Sequence, residues 1–252
     1  MSLRTLAFAP HWLRRTLGVV ALAAGCLVGG TASATQISLS TPAGLNPGDH
    51  FRFLFLTAGT QAATSTDIGD YNTFVNSQAA NATYEGSVVS WKAVGSTATV
   101  NARDNVGGFG TSVPVYLTNG TLLAGDLTTV TSNKGLWSGT LFTTPTIGIV
   151  GTSVTASFAW TGSNKDGTGY TGRQLGTSSV QWGLPTLVIP TLGPYFSLTG
   201  QPGSIAGNFY GVSSELTVPN AVPEIDPNSL GSVLALVMGS LGLLERRRLK
   251  AA

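Results

Sequence analysis

The amino-acid sequence predicts one β-rich domain of the α+β class, residues 35–221, between two terminal targeting segments. Three observations lead to this fold class. Short segments with the alternation or the aromatic content of β-strands recur through the middle of the chain. A longer segment has the spacing of an amphipathic helix. No internal repeat and no Pro/Ser-rich linker divides the region, and its length suits a single domain.

The strand predictions begin with the segment 51–57, which is rich in aromatic residues. A hairpin is predicted around Asn119 and Gly120, because this pair tolerates the positive φ angles of a tight turn. Residues 154–160 alternate between larger apolar and small side chains, which predicts a half-buried strand, and the polar turn 163–167 follows. The other predicted strands are 87–94, 113–117, 121–123, 195–198 and 215–218.

The predicted helix covers Asp67–Ala80. Asp67 is placed to cap its first turn, and Asp70 lies beside the positive helix start. Five residues at a spacing of three or four form a face that we expect to be buried. These residues are Ile68, Tyr71, Phe74, Val75 and Ala79. A second, short helix is predicted over residues 97–105.

The composition excludes several classes of protein. Only 10% of the 252 residues are charged and 42% are hydrophobic, which argues against a highly charged disordered chain. The single Cys excludes a disulfide framework and any zinc site with several Cys ligands. A formal net charge of +2 is too small for a nucleic-acid-binding protein.

Residues 1–34 have the pattern of a secretory signal peptide. A positive start that contains three arginines precedes the apolar run 17–28. Ala32, Ser33 and Ala34 form a small-x-small cleavage site, so the mature chain is expected to begin directly after it. An uncleaved N-terminal anchor is the alternative, but the apolar run is shorter than the roughly 20 residues that a spanning helix needs.

The C-terminal residues 222–252 contain three parts in order. Pro223, Glu224 and Pro227 lie in a proline-stiffened break. The apolar stretch 229–244 predicts a short transmembrane helix, about 24 Å long at 1.5 Å per residue. A basic cluster follows, and it consists of Arg246, Arg247, Arg248 and Lys250. Because basic clusters stay in the cytoplasm, the domain is expected on the other side of the inner membrane.

This C-terminus resembles the PEP-CTERM sorting signal of bacteria that make extracellular polysaccharide. The family pattern is Pro-Glu-Pro, whereas Ile225 and Asp226 here separate Glu224 from Pro227. The resemblance implies recognition by an exosortase, which is a membrane cysteine protease. It also implies a transient stay in the inner membrane, removal of the tail, and release to the cell surface or matrix. An ordinary C-terminal membrane anchor is the alternative.

Without its terminal segments the chain is poor in reactive side chains. The predicted domain has no Cys, and His50 is its single His. Six basic and eight acidic residues give it a net charge of −2. The basic residues are Arg52, Lys92, Arg103, Lys134, Lys165 and Arg173, and the acidic residues are Asp49, Asp67, Asp70, Glu85, Asp104, Asp126, Asp166 and Glu215.

Short motifs of the domain follow one another in a recognisable order. They are Val-Pro-Val at 113–115, Leu-Trp-Ser-Gly at 136–139, and a Trp-x-Gly-Ser turn at 160–167. Coming after a strand and a helix, they resemble the C-type-lectin-like fold of endostatin domains and related bacterial surface domains. An all-β sandwich is the alternative. The disulfides, heparin-binding face and zinc site of endostatin domains are not carried over, because the Cys, clustered basic and His residues for them are missing here.

Few residues favour catalysis. A Ser-His-acid triad would need His50, whose place just before a strand favours a loop or strand-end role. Asp67, Asp70 and Asp104 are the candidate carboxylates for glycoside hydrolysis. Helix capping and the helix dipole explain the first two better than catalysis does.

Neither a calcium site nor an aromatic sugar platform is expected from the motifs. Asn164 and Asp166 resemble the start of a calcium-binding loop, but Arg173 stands where the closing Glu would be. A plain turn is therefore predicted. The tryptophans of the domain are expected in the core, and they are Trp91, Trp137, Trp160 and Trp182.

The sequence thus predicts an exported surface or matrix protein that is not an enzyme. Its expected role is binding or structural, within an extracellular polysaccharide or envelope layer. The expected partners are the exosortase-type protease, the inner membrane and extracellular polysaccharide, with no cofactor, no metal and no nucleic acid. A polysaccharide hydrolase that uses carboxylates is the alternative.

Overall fold

The computed structural model describes residues 36–132, 134–186 and 197–220, together with Leu236. All of them belong to the unit Thr35–Ala252. The helices are α1 (Ile68–Gln78) and α2 (Ala102–Val106). The strands are β1 (Ser38–Leu39), β2 (His50–Leu56), β3 (Gln61–Ala62), β4 (Thr83–Tyr84), β5 (Ser87–Val88), β6 (Trp91–Ala93), β7 (Val115–Leu117), β8 (Leu122–Ala124), β9 (Ala159–Trp160), β10 (Ser179–Gly183), β11 (Thr199–Pro202), β12 (Ala206–Ser213) and β13 (Leu216–Thr217).

The described residues form a β-rich fold with few helices, which confirms the predicted fold class at that level. The predicted signal peptide, residues 1–34, and the predicted transmembrane helix, residues 229–244, lie outside the described residues. Within the described part of the chain, no helix combines the length and the apolar character needed to cross a membrane.

Most of the strands join one ten-stranded sheet with β2 and β12 at its centre. The main path runs β11-β10-β9-β12-β2-β7-β8, while β13 also pairs with β2, and β3 and β6 pair with β12. Strands β12 and β2 are antiparallel and come from opposite ends of the domain. A separate three-stranded sheet has the order β1-β4-β5. The first long strand and the last long strand are therefore neighbours.

Strand β2 is buried on both faces. Phe51, Phe53 and Phe55 point to one side, into a hydrophobic cluster that includes helix α1 and is called the α1 core here. Leu54 and Leu56 point to the other side, into a cluster formed largely by the segments after β6, which is called the loop core. Because successive strand residues face opposite sides, this strand supplies both cores at once.

Aromatic side chains fill much of the α1 core. The Phe55 and Trp91 rings pack edge to face with centroids 4.8 Å apart. Tyr71 of α1 stacks on Phe209 of β12 with centroids 5.1 Å apart. Such pairs contribute about 0.5–1.5 kcal/mol each beyond the burial of their area. These contacts fix the helix against the two central strands.

Helix α1 matches its prediction closely. Asp67 is the N-cap and its Oδ1 accepts a hydrogen bond from the Gly69 N–H at 2.8 Å. Asp70 lies in the first turn, where its charge complements the helix dipole. Of the five residues of the expected buried face, Tyr71, Val75 and Ala79 are buried, whereas Ile68 and Phe74 are half-buried. The helix ends at Gln78, two residues earlier than expected.

Helix α2 begins five residues later than predicted. Residues 97–100 instead form a turn in which the Thr97 N–H donates to the Val100 carbonyl at 2.9 Å. The Ser96 hydroxyl then accepts from the Ala102 N–H at 2.8 Å. This side-chain acceptor satisfies an amide at the start of the helix, so the helix begins at Ala102.

Three other predictions concern strands and have mixed outcomes. The hairpin is confirmed, since β7 and β8 are antiparallel and Gly120 has a φ angle of 84°. The predicted strand 87–94 is divided into β5 and β6, which belong to different sheets. The predicted strand 154–160 is wrong for all but Ala159–Trp160, because Ala156 and Phe158 enter opposite cores without strand pairing.

The late strands also differ in part from prediction. Of the predicted strand 215–218, only Leu216–Thr217 is observed, as β13. Of the predicted strand 195–198, residues 195 and 196 lie outside the described residues, and residues 197 and 198 are not in a strand. The strand in this region, β11, starts at Thr199 because its register is set by pairing with β10, where Trp182 faces Thr199.

Strand β6 pairs with β12 along one edge, and asparagine side chains form hydrogen bonds with the backbone along its other edge. Asn76 of α1 accepts from the Trp91 N–H at 3.0 Å and donates to the Trp91 carbonyl at 2.7 Å. Asn72 accepts from the Ala93 N–H at 2.8 Å, and Asn105 of α2 donates to the Ala93 carbonyl at 2.7 Å. Buried backbone groups need such partners, so helix and strand are joined by polar contacts as well as by packing.

The Asn72→Ala substitution should lower the free energy of unfolding by about 1–3 kcal/mol, because the buried Ala93 amide loses its acceptor. Chemical denaturation measures this change. Thr73→Ala, one position along on the exposed side of the same helix, is the matched control and should change stability by less than about 0.5 kcal/mol. Equal effects of the two substitutions would contradict the role given to Asn72.

Tyr71 predicts a dependence of stability on alkaline pH. Its hydroxyl donates to the Ser65 carbonyl at 2.8 Å, and burial, with a smaller contribution from Asp70, raises the pKa of Tyr71 to about 12. Between pH 10 and 12 the unfolded state therefore holds fewer protons, and stability falls as the pH rises. Tyr71→Phe should be less stable than wild type at pH 9 by about 1 kcal/mol, and urea denaturation should show this gap narrowing towards pH 11. A constant gap would count against the raised pKa.

Candidate functional site

A cleft of about 460 Å³ lies at the beginning of β2. It contains the single His of the described residues and two carboxylates, so it combines concavity with titratable groups. The lining residues are Leu45, Gly48, Asp49, His50, Ser112, Val113, Pro114 and Glu215.

Backbone pairing between the two ends of the domain shapes one wall of the cleft. The Gly48 N–H donates to the Val218 carbonyl at 2.9 Å, and the Val218 N–H donates to the Asp49 carbonyl at 2.9 Å. In β13, Thr217 faces His50. The side chain of Asp49 accepts from the Asn46 N–H at 2.6 Å, which closes the preceding turn. The position of His50 therefore depends on sheet pairing.

Glu215 connects the His to a buried arginine. Its Oε1 lies 2.8 Å from His50 Nδ1, and its Oε2 lies 3.8 Å from an Arg52 guanidinium nitrogen. The Arg52 side chain is only 8% exposed and donates to the carbonyls of Val106 and Ser213 at 3.1 Å each. Burial lowers the pKa of Arg52, and the Glu215 charge opposes that shift. Arg52 remains a cation because its ordinary pKa is so high.

Asp49 supplies the second charge at the cleft. The pKa of Tyr116 is raised, first by burial and then by the negative charge of Asp49. One oxygen of the Asp49 carboxylate is held by Asn46. Among the described residues, the other oxygen and the Ser112 hydroxyl have no hydrogen-bond partner. The cleft therefore presents open polar atoms.

The arrangement can recognise hydrogen-bond donors and can orient an imidazole. In the neutral imidazole, a carboxylate at Nδ1 favours the tautomer that carries a proton there, and the Nε2 atom of His50 is then an acceptor. His50 begins a strand, as the sequence predicted. Within the described part of the chain, no group of three or more His, Cys, Asp or Glu residues is arranged to hold a metal ion.

The carboxylates that the sequence offered for hydrolysis lie outside the cleft, and each accepts a local hydrogen bond. Asp67 caps α1. Asp70 accepts from the Ser65 hydroxyl at 2.6 Å, and Asp104 accepts from the Asn101 amide at 2.8 Å. None of the three lines the cleft.

The tryptophan prediction is largely confirmed. Trp91, Trp137 and Trp160 are buried, while Trp182 is half-buried and packs against the α1 core. The plain turn at 163–167 is also observed. Its Asp166 Oδ1 accepts from the Thr168 N–H at 3.0 Å and from the Thr168 hydroxyl at 2.6 Å.

The residues predicted for export and sorting lie outside the described residues. They are the cleavage site Ala32, Ser33 and Ala34, the sorting motif Pro223, Glu224 and Pro227, and the basic cluster Arg246, Arg247, Arg248 and Lys250. Their roles stay predictions. Comparison of the chain with family models and with curated proteins finds no match.

The sequence did not single out Arg52 and Glu215. Arg52 gave a usable signal, because it interrupts the alternation of Phe and Leu in the most apolar strand. Charged residues in such positions are almost never buried without partners. Glu215 gave none, since nothing in the sequence shows that β13 returns to β2.

Arg52→Met should lower the free energy of unfolding by about 1–3 kcal/mol, because two buried carbonyls lose their donor and Glu215 loses its cationic neighbour. Arg52→Lys should lose less, because an ammonium can serve part of the same set. Lys92→Met removes an exposed cation of the neighbouring strand β6 and should cost less than about 0.5 kcal/mol. Thermal or urea denaturation compares the three; similar losses for Arg52→Met and Lys92→Met would refute the role of Arg52.

Proposed function

We propose that this protein is exported, held transiently in the inner membrane, cut by an exosortase-type protease and released to the cell surface or matrix. There it has a non-catalytic binding or structural role in the extracellular polysaccharide or envelope layer. One observation carries the proposal: the Pro-Glu motif at Pro223, the apolar stretch 229–244 and the basic cluster 246–250 occur in order at the C-terminus. That order matches the PEP-CTERM sorting signal.

For the domain we propose a C-type-lectin-like fold. Three features support it: α1 follows the first long strand, that strand pairs with the last long strand β12, and the Leu-Trp-Ser-Gly segment contributes Trp137 to the loop core. The packing of α1 against the central sheet favours this fold over an all-β sandwich.

A non-catalytic role is supported by the way the acidic residues are used. The carboxylates of Asp67, Asp70 and Asp104 accept local hydrogen bonds that stabilise helix starts and turns. Many Ser and Thr side chains of the domain are exposed or half-buried, which suits a protein that lies within a hydrated polysaccharide layer.

One observation favours the second candidate, a polysaccharide hydrolase. Asp49 and Glu215 line the same open cleft, and glycoside hydrolysis uses two carboxylates that flank one bond. A hydrolase should release new reducing ends from the host polysaccharide. If Glu215→Gln abolishes this release while the variant remains folded, the hydrolase candidate is selected. If no new reducing ends appear, the hydrolase candidate is rejected and the non-catalytic binding role is retained.

Mass spectrometry of the protein released by its host tests the sorting proposal. We expect a chain that begins near Thr35 and lacks the apolar stretch 229–244. Replacement of the basic cluster by Ser should disturb the orientation of the uncut protein in the inner membrane. The amount of released protein should therefore fall. Detection of the intact tail on released protein would overturn the proposal. Replacement of Lys165, which lies outside the basic cluster, by Ser is the control and should leave release unchanged.

A further inference from the structure

The cleft at the start of β2 has free polar atoms that are mostly hydrogen-bond acceptors. They are the second carboxylate oxygen of Asp49 and the Nε2 atom of His50. The Glu215 carboxylate contacts His50 and Arg52, and its remaining lone pairs can accept further hydrogen bonds. The Ser112 hydroxyl can both donate and accept. A ligand that satisfies this set must bring several donors of its own.

The rest of the lining is apolar. Leu45, Val113 and Pro114 contribute hydrocarbon surface to the same cleft. Val113 is buried, while Leu45 and Pro114 are half-buried. A ligand complementary to this lining has one apolar face and a rim of hydroxyl groups. A pyranose ring has both, since axial C–H groups make a ring face apolar and the equatorial hydroxyls project around the edge.

We propose that the cleft formed by Asp49, His50, Ser112 and Glu215 with Leu45, Val113 and Pro114 binds a neutral saccharide of one or two rings. The inference rests on the proposed role in a polysaccharide layer and assigns the binding site and the ligand class. The volume of about 460 Å³ is within the range of small-molecule sites.

The negative charge of Asp49 is the reason why we expect a neutral sugar and not an acidic one. Arg52 lies 3.8 Å from Glu215 and offsets its charge, whereas Asp49 has no cationic partner within the described residues. A uronic acid would bring its carboxylate to a cleft that already carries the unpaired charge of Asp49, and like charges repel. Neutral hydroxyls instead donate to that carboxylate in strong, charge-assisted hydrogen bonds.

The frame of the site is held before any ligand arrives. Glu215 is positioned by His50 on one side and by the buried Arg52 on the other. The Asn46 N–H positions Asp49, and the pairing of Thr217 with His50 positions the strand. Acceptors that are already oriented cost less to order on binding, so even a small saccharide can be held.

Saturation-transfer difference NMR tests the proposal with the full chain in a detergent that carries no sugar headgroup. The probes are glucose, galactose, mannose and glucuronic acid at millimolar concentration. At least one neutral sugar should give saturable signals, and glucuronic acid should bind at least about fivefold more weakly. Binding of glucuronic acid as tightly as the best neutral sugar, or no binding by any probe, would overturn the inference.

Two variants locate the binding in the cleft. Asp49→Asn keeps an oxygen for the Asn46 N–H and should weaken binding about tenfold through loss of a charged acceptor. Ser112→Ala, at an exposed position, should weaken it severalfold. Glu85→Gln is the control: it neutralises a carboxylate in the turn between β4 and β5, which is not part of the lining, and should bind as wild type does.

The result is separable from the test of sorting. Wild-type affinity in Asp49→Asn would overturn the site even if the protein is cut and released normally. Conversely, release of an uncut chain would overturn the sorting proposal whether or not the cleft binds sugar. Both variants are expected to be exported and released like the wild type, because neither changes the terminal segments.

Discussion

The fold depends on burying the pair formed by β2 and β12 on both faces. Phe53 and Phe55 of β2 join Phe209 of β12 in the α1 core, while Leu54 and Leu56 support the loop core. Each fully buried side chain of this kind contributes about 1.5–3 kcal/mol. Since these strands come from opposite ends of the domain, the cores can form only when the chain closes on itself, and the pairing of distant strands is intrinsically slow.

The same burial explains why a charged site lies next to the core. Arg52 occupies a position in β2 where an apolar side chain would fit the pattern, and its guanidinium is nearly excluded from water. Burial of an unpaired cation costs several kcal/mol. Ser213 at the end of β12 supplies its carbonyl as a partner, and Glu215, in the link between β12 and β13, supplies its carboxylate. Glu215 in turn holds His50 at the cleft. The geometry of the cleft therefore follows from a requirement of the core.

Sequence patterns anticipated the elements in which local interactions decide the structure. Helix α1 was predictable because its cap at Asp67 and its apolar spacing are both local, and β2 was predictable because seven residues carry its pattern. The limits of short strands such as β9 were not predictable, since they are set by partners far along the chain. The cleft could not be predicted for the same reason, because only the pairing of β13 with β2 brings Asp49 and Glu215 to the same cleft.

That pairing also bears on the proposed removal of the tail. The last backbone hydrogen bonds of the described sheet join Val218 to Gly48 and Asp49, and Pro219 follows directly. A cut within or after the segment 223–227 would lie beyond these bonds, so it would remove no residue that pairs with β2 or lines the cleft. Under the proposed processing, the released domain would keep the cleft with its acceptors and the support from Arg52, as the proposed binding role requires.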